Sequence, residues 1–312
     1  MNIEFNFYIH HSGDVKEKTT IPVDLFCQKA WAYIEQTGGC KEPKTIENYK
    51  TALRSLIRYT DTERSTPGID ESAVEGYVHW LRSRGICPNT ISCYLRSLRS
   101  LMSALFGKEN VTFFFRNVFT GNAKTKKRSV NEEDIIKLQR LPLPASSYLY
   151  LARDLFLFCF YAQGLPFVDV VNLKKKNVVE GKIVYLRQKT GQRVIIPLDP
   201  LMIEIIERYD SDGDDALFPE IQPHGKNDYY YQLNRYNHAL RVLSEKAGIK
   251  RLTSYVARHS WASLAYKSQV DISIISKALG HQNPQTTLIY VREIDDEPLA
   301  EANRKLLDRF RR

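Results

Sequence analysis

One stretch, "SSYLYLARDLFLFCFYAQG" (146–164), constrains this chain more than any other. It is almost wholly apolar. A helix that is apolar all round must be buried by other elements, so the chain has to build a domain around it. Neither this stretch nor any other apolar run approaches the roughly 20 residues a membrane span needs. At 312 residues the chain is about twice the usual single-domain length, which predicts two domains. Its 43% hydrophobic and 26% charged residues are the balance of a soluble globular protein.

Several function classes drop out early. The opening residues "MNIEFNFYIHHSGDVKEK" lack the charged-then-apolar pattern of a signal peptide, so secretion is not expected. Five cysteines, an odd number without a C-x-x-C pair, suggest neither a disulfide framework nor a zinc site. Reduced thiols in a cytoplasmic protein are the simple expectation. The seven histidines include no H-x-x-x-H pair, and no phosphate-cradling glycine loop is present. No metal and no cofactor are therefore expected. The net charge of +9 points instead to a polyanionic partner.

The distribution of that charge supports the same partner. After an N-terminal extension (1–23), residues 24–120 read as a helical unit. In "KTIENYKTALRSLIRY" the apolar set Ile46, Tyr49, Leu53, Leu56 and Ile57 recurs at helical spacing, with Thr45 as N-cap after Pro43. Its outer face carries Lys50, Arg54 and Arg58. In "NTISCYLRSLRSLMSALFG" the inner set runs from Ile91 to Leu105, with Arg96 and Arg99 outside. A third helix, "ESAVEGYVHWLRSRG", closes at Gly85. Two helices with basic outer faces suit a DNA-facing surface, although solvated faces are also commonly charged. Residues 121–130 follow as a polar linker. Its basic residues Lys124, Lys126, Lys127 and Arg128 could track a phosphate backbone.

Residues 131–312 form the second unit, mainly helical with a small β insertion. "GKIVYLRQKTGQRVIIPL" alternates in polarity and breaks at Thr190-Gly191, which predicts a β-hairpin. Further helices are expected near 200–209, 228–247, 257–267 and 271–279. The fold class is thus mainly α: a helical N-terminal unit and an α-rich second domain with a β-hairpin.

Cutting DNA without a metal needs a nucleophile, cations on the non-bridging oxygens and an acid for the leaving oxygen. Towards the end of the chain, "LTSYVARHSWASLAYKSQVDISIISKALGHQNPQTTLIYV" holds Arg258, Gly280-His281 and Tyr290. The hairpin turn adds Lys189. This ordered set, behind a basic helical unit, resembles the tyrosine recombinase (phage integrase-like) family over nearly the whole chain. The segments around Phe158 and Tyr255 are similar to its Bacteroidetes-type branch. The resemblance implies a helical core-binding domain, a linker and a catalytic domain, with no cofactor. It implies that Tyr290 attacks the scissile phosphate, Arg258 holds its non-bridging oxygens, His281 hydrogen-bonds the phosphate or the tyrosine oxygen, and Lys189 protonates the leaving 5′-oxygen. It also implies inverted-repeat sites in double-stranded DNA, bound by a dimer and brought together in a tetramer. The residues after Tyr290 would then reach a neighbouring protomer.

Two positions depart from the family pattern. "YVAR" puts Tyr255 where a histidine is usual, and a phenol can still donate to a phosphate. The first arginine should stand three residues before Asp169, where the chain has Pro166. The Bacteroidetes-type register places it before a glycine, where the chain has Gln163. Arg153 and Lys174 to Lys176 are the nearby cations that could replace it. The expected function is site-specific DNA recombination. The alternatives are a DNA-binding paralogue that keeps the fold without the chemistry, and a relaxing topoisomerase of related chemistry.

Overall fold

Helix α1 (Val23–Thr37) follows directly on the first strand, β1 (Ile21–Pro22), and opens a bundle with α2 (Pro43–Thr62). The computed structural model describes residues 20–62, 68–123, 129–211, 213–281 and 287–288. The chain divides after Thr125 into two units. The first continues with β2 (Gly68–Ile69), α3 (Glu71–Ser83), α4 (Pro88–Phe106) and the short α5 (Lys108–Val111). β1 and β2 pair antiparallel, Ile21 opposite Ile69.

On α2 Ile46, Tyr49, Leu53 and Leu56 are buried, as the spacing predicts, together with Ala52 and Tyr59, and Ile57 packs at the margin of the core. The helix starts at Pro43, two residues ahead of the expected N-cap Thr45. Proline suits a first helical position because its missing N–H would have no partner there. Asp70 caps α3, its Oδ1 accepting the Ala73 N–H at 2.8 Å. The same helix closes where Gly85 turns left-handed (φ +71°) and the Ile86 N–H donates to the Leu81 carbonyl.

The second unit comprises α6 (Glu132–Gln139), α7 (Tyr148–Tyr161), α8 (Phe167–Val170), β3 (Val178–Val179), β4 (Lys182–Leu186), β5 (Arg193–Pro197), α9 (Pro200–Arg208), α10 (Lys226–Ala247), α11 (Val256–Lys267) and α12 (Ile272–Ala278). Helix α7 is its axis. Every residue from Leu151 to Cys159 is buried, and α9, α10 and α11 pack around it. None of the described helices is long and apolar enough to cross a membrane.

Two of the buried α7 residues are charged. Asp154 Oδ1 accepts from Arg153 Nε and Nη2 at 3.0 and 2.9 Å. Its Oδ2 accepts from the Arg208 guanidinium and from the Tyr209 hydroxyl, tying α7 to the end of α9. Buried charge is tolerated here because every lone pair of the carboxylate faces a donor.

The hairpin β4–β5 has Ile183 opposite Ile196 and Tyr185 opposite Val194, all four pointing inward. A third strand, β3, pairs Val178 with Ile183. Two residues are too few to show alternation, so sequence pattern does not reveal it.

Candidate active site

Arg258 lies in the first turn of α11 and is only 2% exposed. Its Nη1 donates to the Gly164 carbonyl at 3.0 Å, and its Nη2 donates to the Leu279 carbonyl at 2.5 Å. Nη2 also lies 3.2 Å from His281 Nε2. Arg258 therefore joins the end of α7 to the end of α12. Gly164 is what lets them meet. It is left-handed (φ +74°), and a Cβ there would fall 2.9 Å from Arg258 Cα.

The "LGH" triplet is the C-terminal cap of α12. The Gly280 N–H donates to the Lys277 carbonyl and the His281 N–H to that of Ser276, with Gly280 left-handed at φ +61°. An ordinary helix end and a functional motif are here the same object, because the cap turns the Leu279 and Gly280 carbonyls towards arginines. His281 Nδ1 is 2.8 Å from Thr287 Oγ1. A guanidinium can only donate, so His281 Nε2 accepts from Arg258, and Nδ1 carries the proton towards Thr287.

Burial first, then the charges of Arg258, Arg187 and Lys189, lower the His281 pKa from 6.5 to about 4. The imidazole is thus neutral at pH 7. Because the folded value lies below the unfolded one, the unfolded chain takes up this proton first as the pH falls. The stability contribution is complete above about pH 6.5 and is lost as pH drops through about 4. An NMR titration of the His281 ring is expected to give a midpoint near 4. His281→Gln should flatten the stability profile across that window, and a midpoint near 6.5 would contradict the packing.

The β-hairpin brings the remaining groups. Lys189 is exposed at its tip, and its charge reaches His281. Arg187, two residues earlier, faces inward and is 7% exposed. Its Nη1 donates to the Gly280 carbonyl at 2.7 Å, and its Nε sits 4.0 Å from Asp169 Oδ2. Asp169 Oδ1 accepts the Gln188 N–H at 2.9 Å, anchoring the hairpin to α8. Burial raises the Asp169 pKa, while the Gln188 N–H and the Arg187 and Arg258 charges lower it.

The departures from the family pattern are also placed. Gln163 follows the α7 C-cap, Ala162, in a left-handed conformation (φ +57°), and Pro166 is buried as the N-cap of α8. Arg153 does not fill the gap. Its guanidinium is committed to Asp154, to the Leu141 carbonyl and to the face of the Tyr150 ring. Lys175 reaches the Ser211 carbonyl and Asp210. Tyr255, 46% exposed just before α11, packs edge-on against His259.

Arg258, His281 and the hairpin are thus brought together. Tyr290 lies outside the described residues, as do Lys124, Lys126, Lys127 and Arg128. In the first unit Arg54 and Arg58 are exposed and line a groove with Arg84, Trp80 and Tyr94, while Lys50 is half-buried. Arg96 Nη1 donates to Ser92 Oγ and the carbonyls of Thr120 and Gly121, and Arg99 reaches Thr120 Oγ1. Those two arginines hold the stretch leading towards residue 124 against α4. Sequence reasoning passed over Arg187, Gly164 and Thr287 as site residues. Arg187 had a signal: it continues the inward register of Ile183 and Tyr185.

Comparison with known proteins adds three findings. The phage integrase family model matches residues 133–297, and the phage integrase SAM-like domain model matches residues 25–110. Tyrosine recombinase XerA of Pyrococcus furiosus is 31% identical over 266 residues, covering 83% of this chain and 86% of its own. Among solved structures, a lambda integrase dimer bound to a COC′ core site superposes with a TM-score of 0.66 at 14% identity, over 89% of this chain and 80% of that one. A lambda integrase tetramer bound to a Holliday junction gives 0.66 at 13% identity, over 87% and 77%.

Proposed function

The chain belongs to the phage integrase family, and from that premise we propose that it is a site-specific tyrosine recombinase. The observation that carries this reading is the meeting of Arg258, His281 and the Lys189 hairpin at one place, although they come from separate segments of the chain. In the reaction, the Tyr290 hydroxyl oxygen attacks the scissile phosphorus and gives up its proton to solvent. The P–O5′ bond breaks, and the 5′-oxygen leaves with a proton from Lys189. The product is a 3′-phosphotyrosyl bond that keeps the energy of the ester for rejoining. Arg258 is suited to bind two phosphate oxygens because its planar fork matches their geometry. Tyr255 donates a hydrogen bond to the phosphate, and the unprotonated Nε2 of His281 is the atom that can accept one from the Tyr290 hydroxyl.

The DNA partner is double-stranded, with the exposed Arg54 and Arg58 and the basic residues 124–128 on its backbone. The lambda integrase dimer on a core site and tetramer on a Holliday junction support the same assemblies here, with inverted repeats matching the twofold symmetry of a dimer. The missing first arginine favours a second reading, a DNA-binding paralogue without chemistry.

A duplex carrying the chain's core site and a nick beside the cleavage point separates the two. The short 5′ fragment diffuses away, so cleavage traps a covalent adduct. The wild type is expected to accumulate adduct and Tyr290→Phe none. DNA binding without adduct from the wild type would support the paralogue, and adduct from Tyr290→Phe would remove Tyr290 as nucleophile.

A further inference from the structure

We infer that Arg187 supplies the positive charge on the scissile phosphate that neither Pro166 nor Gln163 brings. The inference rests on the recombinase reading above and concerns which side chain completes its site.

Arg187 and Arg258 come from different elements and close on neighbouring atoms. Arg258 Nη2 holds the Leu279 carbonyl, Arg187 Nη1 holds that of Gly280, and His281 follows immediately. The two guanidinium groups thus grip consecutive carbonyls of one peptide segment, close enough for the charge of Arg258 to act on Arg187. Gly280 suits the approach, since its left-handed φ of +61° favours glycine and a Cβ there would be in tight contact, 3.2 Å, with Arg187 Cδ.

Both side chains are more than nine-tenths buried, and the Nε of each has no hydrogen-bond partner among the described residues. Facing both is one buried carboxylate, Asp169, whose Oδ1 accepts the Gln188 N–H and whose Oδ2 has no hydrogen-bond partner among the described residues. Burial, and then the Arg258 charge, depress the Arg187 pKa. A pocket that desolvates two cations against one anion, with donors left over, is short of negative charge. A phosphodiester supplies a single negative charge and acceptor oxygens.

Arg187 also differs from the other available cations. Arg153 and Lys175 hold carboxylates elsewhere at hydrogen-bond distance, whereas Arg187 makes only a long ion pair with Asp169, Nε to Oδ2 at 4.0 Å, without a hydrogen bond. The guanidinium sits two residues from the Lys189 tip, so a single hairpin would carry both the phosphate clamp and the acid.

The test uses the full chain and the nicked duplex in two forms: an ordinary scissile phosphate, and an uncharged methylphosphonate at that position. Arg187→Ala is expected to slow adduct formation by roughly 10²–10³-fold on the phosphate. On the methylphosphonate, which needs no charge neutralisation, it should come within about tenfold of the wild type. Arg187→Lys, which keeps the charge, should lose much less than Arg187→Ala on the phosphate.

Equal rates for Arg187→Ala and the wild type on the phosphate would overturn the inference. An equal loss on both substrates would do so too, because it would mark Arg187 as a support of the hairpin. If Arg187→Ala does not fold, Arg187→Gln carries the same comparison. Absence of adduct from the wild type would overturn the recombinase reading together with this one, whereas the first two results leave that reading intact.

Discussion

Arg258→Ala is expected to slow strand cleavage by about 10³-fold, the upper end of the effect of deleting one preorganised donor. The magnitude is set by what the guanidinium does before any DNA arrives. It spans the Gly164 and Leu279 carbonyls and keeps the His281 imidazole in its Nδ1–H form. Alanine removes the phosphate clamp and also leaves three acceptors at the junction of α7 and α12 without their donor. Arg258→Lys separates these contributions. It restores charge, but one ammonium cannot bridge both carbonyls and still face a phosphate, so a loss of about 10²-fold should persist. Adduct formation on the nicked duplex, with binding measured separately, reads both variants. Wild-type rates in Arg258→Lys would show that charge alone matters and that the bridging geometry does not.

Asp154→Ala is expected to destabilise the second unit by about 3–5 kcal/mol, the range for removing one partner of a buried ion pair. Asp154 has four donors on its two oxygens: Arg153 Nε and Nη2, Arg208 and Tyr209. Removing the carboxylate leaves the Arg153 guanidinium in the core with its charge uncompensated. The packing of α7 against α9 then works against the desolvation of that cation. For a unit of this size the change corresponds to a drop in Tm of roughly 10 °C. Urea denaturation of the full chain provides the check. Asp154→Asn should lose less, because the amide oxygen still accepts and the shape is kept. A change below about 1 kcal/mol for Asp154→Ala would place the network among weak surface pairs.

Several elements were legible from local pattern alone. The apolar run at 146–164 predicted a buried helix and is one, because solvation of its side chains does not depend on which elements cover it. The alternation of 182–197 predicted a hairpin, and the turn falls at the expected glycine. Helix starts were less secure: Pro43 rather than Thr45 begins α2, since both residue types suit a first turn. The third strand was hidden by its length. Of the site, Arg258, His281 and Lys189 were visible as a resemblance in linear order, and Tyr290 remains known from sequence only.

What the sequence determined by itself, then, was the set of elements, the basic helical unit and most members of the proposed active site, because these follow from periodicity and motif order. Only the tertiary structure decided which cations share the pocket. Arg153 looked available in sequence but is consumed by its neighbour Asp154, while Arg187, which no motif singled out, meets Gly280, 93 positions away. Charge compensation acts through space over a few ångströms, and distances along the chain carry no record of it.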